Sequence, residues 1–221
     1  MQSAHATVLR VVVNSAYPRG SGTGTGVPSG TTPAQGIHGE ALPCIRGARR
    51  EGYKVMLVIA WNDAWSPRQT ASFFSSVLRI YRPYLWAVGA GNEPELEGPH
   101  LSGAGYSRDW KAVEPVLKRM VPHAIRVGGE ISPYGLGFLQ AALRAGLPGV
   151  QAIATHPYAY PWEFKIPQVL QLAQRNHAAL WCDEGLYEGP TSWRPTSPKG
   201  AKFMTLSSLR GAVLAGVWFK S

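Results

Sequence analysis

Two acidic residues follow apolar runs in this sequence and are well suited to chemistry. Glu93 follows the run Leu85–Val88, and Glu184 follows a second run in the segment Ala179–Gly185. Pro94 cannot donate to a sheet ladder, so the first run must end as a strand at about Glu93. An acidic residue at the carboxyl end of a buried parallel strand is a signal of a functional site. Two carboxylates so placed are the groups needed to cleave a glycosidic bond.

Strand-like runs alternate with helical patterns along the whole chain, which indicates a parallel sheet. We predict seven strands: Thr7–Asn14, Tyr53–Trp61, the run ending near Glu93, Ala124–Glu130, Val150–His156, the run ending at Glu184, and Val213–Phe219. The predicted helices are His38–Gly52, the segment from Ser66 to Tyr81, Ser107–Val121, Leu136–Ala145, Pro167–His177 and Lys199–Gly211. Ser66 and Pro67 have the residue types of an N-cap and a first helical position.

The predicted strand ends recur at intervals of between 27 and 36 residues, each about the size of one βα unit. Polar or aromatic residues mark five of these six ends. A barrel, in which all carboxyl ends meet at one rim, fits this repeat better than an open doubly wound sheet. The landmarks are Trp61, Glu93, Gly129, His156, Glu184 and Trp218.

Four segments together resemble glycoside hydrolase clan A, the retaining β-glycosidases with a TIM (β/α)8 barrel, and the likeness is closest to the β-xylosidase/cellulase-like branch. They are Asn92-Glu93-Pro94, His156-Pro157-Tyr158, Asp183-Glu184-Gly185 and the closing Trp218. Asn-Glu-Pro alone is a moderately specific motif. A second Glu three βα units later makes it much more specific, and the resemblance covers nearly the whole chain.

The resemblance implies a role for each matching residue. Glu93 would be the acid/base, Glu184 the nucleophile and Asn92 the donor to the sugar 2-hydroxyl. The remaining matches would orient the nucleophile (Arg10, His156, Tyr158) or form the floor of the sugar subsite (Trp218). A cationic Arg10 near Glu184 would keep that carboxylate ionised. Trp61 is a further candidate for stacking on a sugar. This chemistry needs neither a cofactor nor a metal, and no short His/Glu spacing suggests one.

The sequence departs from the clan in two respects. In the clan the Asn-Glu strand is the fourth, but only two predicted strands precede it here. We therefore expect an incomplete barrel that lacks the first strand with its helix and the last helix, with self-association as one way to cover the gap. Asp183 stands where the clan usually has a small hydroxyl residue.

Several residues have more than one interpretation. Arg10, inside an apolar run, either points into the barrel or marks its edge. His156 is either a site residue or a satisfied core histidine. The acidic residues Glu95, Glu97 and Glu188 are interpreted as solvated loop residues.

Composition excludes several classes of protein. The length of 221 residues fits a single domain, here a catalytic barrel over residues 1–221. The net charge of +9 comes from scattered Lys and Arg, without the clustered basic and aromatic pattern of nucleic-acid binding. The two cysteines, Cys44 and Cys182, fit neither a disulfide framework nor a zinc site.

The remaining segments carry weaker signals. The Gly-rich loop 20–36 lacks the Lys of a phosphate-binding loop and is expected on the surface. No run reaches transmembrane length, and the first residues do not resemble a signal peptide. The location is therefore open between the cytoplasm and secretion with the signal removed.

These observations predict a retaining β-glycosidase that acts on an oligo- or polysaccharide or another glycoside. Two alternatives come from other classes: a non-catalytic carbohydrate-binding pseudoenzyme, and a cell-wall or acidic-polysaccharide lysin that uses the positive charge. The sugar, the linkage and the choice of exo or endo cleavage depend on loop shape.

Overall fold

The computed structural model describes residues 8–14, 41–96, 101–156, 166–183 and 212–214. In these ranges the strands are β1 (Val8–Asn14), β2 (Lys54–Ala60), β3 (Ala87–Ala90), β4 (Ile125–Ile131), β5 (Ala152–Thr155), β6 (Ala179–Cys182) and β7 (Ala212–Leu214). The helices are α1 (Leu42–Arg50), α2 (Pro67–Tyr81), α3 (Gly103–Met120), α4 (Leu136–Ala145) and α5 (Ile166–Arg175), with a short 3-10 helix at Arg82–Tyr84.

The strands form one sheet in the order of the chain, β1-β2-β3-β4-β5-β6-β7, and every neighbouring pair is parallel. A doubly wound sheet reverses its strand order at a switch point, whereas a barrel does not. The described residues therefore form a partial TIM barrel, which confirms the predicted fold class. Self-association of the barrel stays a prediction.

The two faces of the sheet bury different sets of side chains. On β2, Val55, Leu57 and Ile59 pack with helix residues in the larger cluster, while Met56 and Val58 belong to a smaller cluster made only of residues on or beside strands. The helices thus cover one face, and the other face is the barrel interior. In this interior Trp86 stacks on Trp181, with ring centroids 5.1 Å apart.

The start of α2 follows the sequence prediction. The Ser66 side chain accepts from the N–H of Gln69, and the Gln69 side chain accepts from the N–H of Ser66, which completes a capping box before Pro67. Buried Phe74, Leu78 and Tyr81 lie on its inner face.

Helix α3 begins earlier than predicted, at Gly103 rather than Ser107, after the N-cap Ser102. Gly103 packs so closely on α4 that an added Cβ would overlap the carbonyl oxygen of Phe138. Glycine has a low helix propensity, so the sequence did not predict that the first turn of α3 begins here. The helix then continues through Pro115, with Trp110 and Leu117 fully buried.

The helix predicted at Lys199–Gly211 and the loop 20–36 lie outside the described residues. None of the helices in the described ranges combines the length and apolar character needed to cross a bilayer.

Candidate active site

Six polar side chains meet where the strands of the barrel end. They are Arg10 in β1, Asn92 and Glu93 after β3, Glu130 in β4, His156 after β5 and Asp183 after β6. Residues two apart on a strand point to the same face. His156 therefore follows Ala152 and Ala154 into the barrel, and Asp183 follows Trp181.

Arg10 lies at the centre of this cluster, with its side chain fully buried. Its Nη2 donates to Oδ1 of Asn92 and to Oε2 of Glu130, both over 2.9 Å, and its Nε donates to Oδ2 of Asp183 over 3.0 Å. The structure shows that Arg10 points into the barrel, which is the first of its two interpretations. Charge-assisted bonds to two carboxylates hold the guanidinium in one orientation.

His156 connects the buried cluster to Glu93. Its Nδ1 lies 3.1 Å from Oε1 of Glu93, and its Nε2 lies 3.4 Å from both Oε2 of Glu130 and Oδ1 of Asp183. Burial alone would lower the pKa of His156, but hydrogen bonds to Asp183, Glu130 and Glu93 outweigh it and raise that pKa well above its usual value. The side chain of Glu93 is 21% exposed, so this carboxyl is where the cluster reaches solvent.

The two buried carboxyls differ in acidity. Burial and the charge of Asp183 raise the pKa of Glu130 to about 7, despite Arg10 and His156. Burial also acts against ionisation of Asp183, but Arg10 and His156 lower its pKa to about 2. The two neighbouring carboxyl groups therefore ionise in different pH ranges.

A β-bulge directs Glu130 into the barrel. In the ladder between β4 and β5, Gly128 pairs with Ile153 but Ile131 pairs with Thr155, so β4 has one extra residue. The bulge reverses the alternation of faces, so that Glu130 joins the interior cluster and Ile131 packs with the helices.

Gly89 in β3 provides the space that Glu130 occupies. A Cβ at Gly89 would overlap Oε1 of Glu130. The backbone also joins Glu130 to Glu93: the N–H of Glu93 donates to the carbonyl of Glu130 over 2.8 Å.

Glu130, His156 and Asp183 could in principle bind a metal, since their ligand atoms lie within 4.8 Å of one another. However, the guanidinium of Arg10 lies 2.9 to 3.3 Å from polar atoms of all three. The cluster therefore fits a guanidinium as its central cation, and the expectation that no metal is needed stays a prediction.

Trp61 lies on the helix side of the sheet. Its Nε1 donates to Oδ2 of Asp109 over 3.1 Å, and its ring stacks on Tyr106 at 5.7 Å. It also lines a small pocket beside Asn92 and Pro94. Its sugar-stacking role stays a prediction.

Three other predicted site residues, Tyr158, Glu184 and Trp218, lie outside the described residues. The assignments of Glu184 as nucleophile, Tyr158 as its orienting partner and Trp218 as subsite floor therefore stay predictions.

Sequence reasoning missed Glu130 and left the role of Asp183 open. The available signal for Glu130 was an acidic residue at the end of an apolar strand, the same signal that identified Glu93. The interpretation of Glu95 as solvated was wrong, because its Oε1 accepts from the N–H of Ser132 over 2.7 Å.

No protein-family model matches this sequence, and none of the curated proteins compared with it matches either. Solved structures do match in fold. The chain aligns with the glycoside hydrolase family 53 catalytic domain of Ignisphaera aggregans at a TM-score of 0.54 and 16% identity, over 86% of this chain and 60% of that one. It aligns with the endo-1,4-β-D-mannanase of Thermotoga petrophila at a TM-score of 0.56 and 15% identity, over 96% of this chain and 80% of that one.

A family 26 β-mannanase from Bacteroides ovatus also aligns, at a TM-score of 0.56 and 12% identity, over 96% of this chain and 71% of that one. At such identities the likeness establishes the fold alone. The chain spans less than two thirds of the length of the family 53 domain. The resemblance to glycoside hydrolase clan A is thus confirmed at the level of the fold, which is a partial TIM barrel of the kind found in these glycoside hydrolases.

Proposed function

We propose that this protein is a glycoside hydrolase that cleaves β-glycosidic bonds with retention of configuration. The main supporting observation is the position of Glu93. Its carboxyl is partly exposed where the strands end, and it contacts His156, which is itself fixed by the buried Arg10 cluster. A proton donor that faces the substrate and is oriented by a rigid buried group is suited to general acid–base catalysis.

In the proposed reaction Glu184 attacks the anomeric carbon as the bond to the leaving oxygen breaks, and Glu93 gives its proton to that oxygen. The product of this step is a glycosyl ester of Glu184. Glu93, now a carboxylate, then takes a proton from water while the water oxygen attacks the anomeric carbon. The ester bond breaks, Glu184 leaves as a carboxylate, and the sugar is released with its original configuration.

Asn92 would bind the sugar in this scheme. Its Oδ1 accepts from Arg10, which orients the side-chain amide. The Nδ2 group is then the one that would donate to the 2-hydroxyl, an interaction that strengthens in the transition state of such reactions.

The proposal is tested by incubating the protein with aryl β-glucoside, galactoside, xyloside, mannoside and fucoside. Glu184→Ala serves as the blank, and Glu51→Gln, at the exposed end of α1, is a matched loss of a carboxylate outside the site. We expect release by the wild type and by Glu51→Gln but not by Glu184→Ala. Proton NMR of the first product should show the β-anomer. An α-anomer as first product would contradict retention.

A silent panel would be followed by polysaccharides at low and high salt. Cleavage of an acidic polymer only, and only at low salt, would favour the lysin alternative. Binding of a polysaccharide without any release would favour the pseudoenzyme and contradict the proposed function.

A further inference from the structure

The groups around His156 indicate which of its ring nitrogens carries a proton. Nη2 of Arg10 has two hydrogens, and its bonds to Asn92 and Glu130, both 2.9 Å long, use both. Its contact with Nε2 of His156 is longer, at 3.3 Å, so the arginine directs these hydrogens mainly at Asn92 and Glu130. Nε2 also lies 3.4 Å from both Glu130 and Asp183, which accept hydrogen bonds and do not donate them when both are carboxylates. The geometry thus favours a hydrogen on Nε2.

The other ring nitrogen must then share a proton with Glu93. Nδ1 lies 3.1 Å from Oε1 of Glu93. If Glu93 is a carboxylate, a proton on Nδ1 makes the bond. If Glu93 is protonated, its O–H donates to a neutral Nδ1. In both cases one proton lies between the two groups, and Nε2 keeps its own.

We propose that Glu130 is a positioning residue that acts through His156: its buried carboxyl holds the Nε2–H side of the ring, so that Nδ1 faces Glu93 and shares one proton with it. This inference rests on the proposed function for its catalytic consequence. When Glu93 gives its proton to the leaving oxygen, the ring supports the resulting carboxylate. The proton that Glu93 later takes from water restores the original state.

Three features of the fold place Glu130 for this role. The bulge in β4 directs it inward, Gly89 leaves the space for its carboxyl, and its backbone carbonyl accepts from Glu93. Glu130 therefore contacts Glu93 through its backbone and the ring of His156 through its side chain. The raised pKa of His156 agrees with this arrangement.

The charged groups near the ring belong to four of the strands or to the residues that follow them. They are Arg10 from β1, Glu93 after β3, Glu130 from β4 and Asp183 after β6, while Tyr106 of α3 lies near both Glu130 and Glu95. Asp183 stays ionised in the neutral pH range because its pKa is about 2. Glu130 ionises with a pKa of about 7, so it is a carboxylate in the upper part of the pH range from 5 to 10.

The first experiment needs no substrate. The histidine nitrogens of 15N-labelled protein are followed by NMR from pH 5 to pH 10, and the signals of His156 are assigned by their loss in His156→Gln. In Glu130→Gln we expect His156 to lose its proton about one to three pH units lower than in the wild type, because an anion that favours the imidazolium is gone. Glu51→Gln should titrate as the wild type. An unchanged titration in Glu130→Gln would overturn the inference.

The wild type alone provides a second measurement, which decides the matter if Glu130→Gln does not fold. Above its pKa the neutral ring of His156 should carry its hydrogen on Nε2, which the 15N chemical shifts report directly. A hydrogen on Nδ1 would overturn the inference.

A kinetic arm tests the catalytic consequence. With a series of aryl β-glycosides, Glu130→Gln should lower kcat about tenfold or more for poor leaving groups and change it little for the best ones, with KM nearly constant. An equal loss for every leaving group would mean a structural role only and would overturn the inference. The wild type could also be inactive on all glycosides and polysaccharides while the NMR shift is present. That result would refute the proposed function but support the positioning of His156 by Glu130.

Discussion

Glu93 follows β3 and Glu130 is the last residue but one of the neighbouring β4, and both adopt a left-handed backbone conformation, with φ of 44° and 48°. The N–H of Glu93 donates to the carbonyl of Glu130 over 2.8 Å. A non-glycine residue in this conformation costs about 1 kcal/mol or more, and such residues persist where the surrounding contacts determine them. Here the contacts are those of Arg10 and His156, which hold the turned strand ends in place.

The first prediction concerns the proton donor. Glu93→Ala should slow substrates with poor leaving groups by about 10²–10⁴-fold, because these need protonation as the bond breaks. Activated aryl glycosides should lose less, since their leaving groups depart as anions. Azide should partly restore turnover of the activated substrates, because it attacks the glycosyl ester without a general base. The measurement is kcat across a leaving-group series with and without azide. Wild-type rates on every substrate would contradict the assignment of Glu93.

The second prediction concerns Arg10. Arg10→Met keeps much of the side-chain volume but removes the cation between buried Glu130 and Asp183. An uncompensated buried charge costs about 3–5 kcal/mol, so the free energy of unfolding at pH 7 should fall by about that amount in urea titrations.

Arg10→Lys is the matched control for charge. A lysine ammonium cannot reproduce the planar arrangement of donors to Asn92, Glu130 and Asp183. We expect it to recover part of the stability but not the orientation of Asn92. Wild-type stability of Arg10→Met would mean that the cluster does not depend on its cation.

The sequence predicted the elements well where local signals and tertiary packing agree. The bounds of α4 match the prediction, and the capping box of α2 starts where Ser66 and Pro67 indicated. The alternation of strands and helices predicted the barrel, and the resemblance to glycoside hydrolase clan A implied that Arg10, Asn92, Glu93 and His156 belong to one site.

The residues that sequence reasoning missed depend on non-local features. Simple alternation from Val127 would direct Glu130 outward, and only the bulge against β5 reverses it. No pattern within β4 reveals that extra residue. Likewise the contact of Glu95 with Ser132 joins two segments 37 residues apart, and depends on how two loops approach each other.

The third prediction concerns Tyr106, which connects β3 to β4 from the helix side of the sheet. Its hydroxyl donates to the carbonyl of Ala90 over 2.7 Å and accepts from the N–H of Gly129 over 3.0 Å. Tyr106→Phe leaves these two backbone groups without this partner and should lower the free energy of unfolding by about 1–3 kcal/mol. Tyr84→Phe, which removes only an exposed bond from Arg46, should cost about 0.5 kcal/mol or less. Equal effects of the two variants in urea denaturation would refute this role of Tyr106.

The fourth prediction concerns the dependence of stability on pH. The pKa of Glu130 is raised from 4.5 to about 7 in the folded protein, so in this range the folded state binds the proton more tightly than the unfolded state. Stability from this group is therefore fully present below pH 4.5 and is lost as the pH rises toward 7. The depressed pKa of Asp183 acts in a separate window, below about pH 4. Between pH 4.5 and 6.5 the unfolding free energy of the wild type, relative to that of Glu130→Gln, should fall by about 2 kcal/mol.

This comparison cancels the contribution of every group that titrates alike in the two proteins. The raised pKa of His156 also removes stability as the pH rises, but its window begins near 6.5, above the range measured. Glu51→Gln controls for the loss of an exposed carboxylate and should follow the wild type within about 0.5 kcal/mol. A difference between the wild type and Glu130→Gln that stays constant from pH 4.5 to 6.5 would mean that Glu130 ionises at its ordinary pKa. A difference that rises with pH would mean that Arg10 and His156 outweigh both its burial and the charge of Asp183, so that the folded state favours the carboxylate.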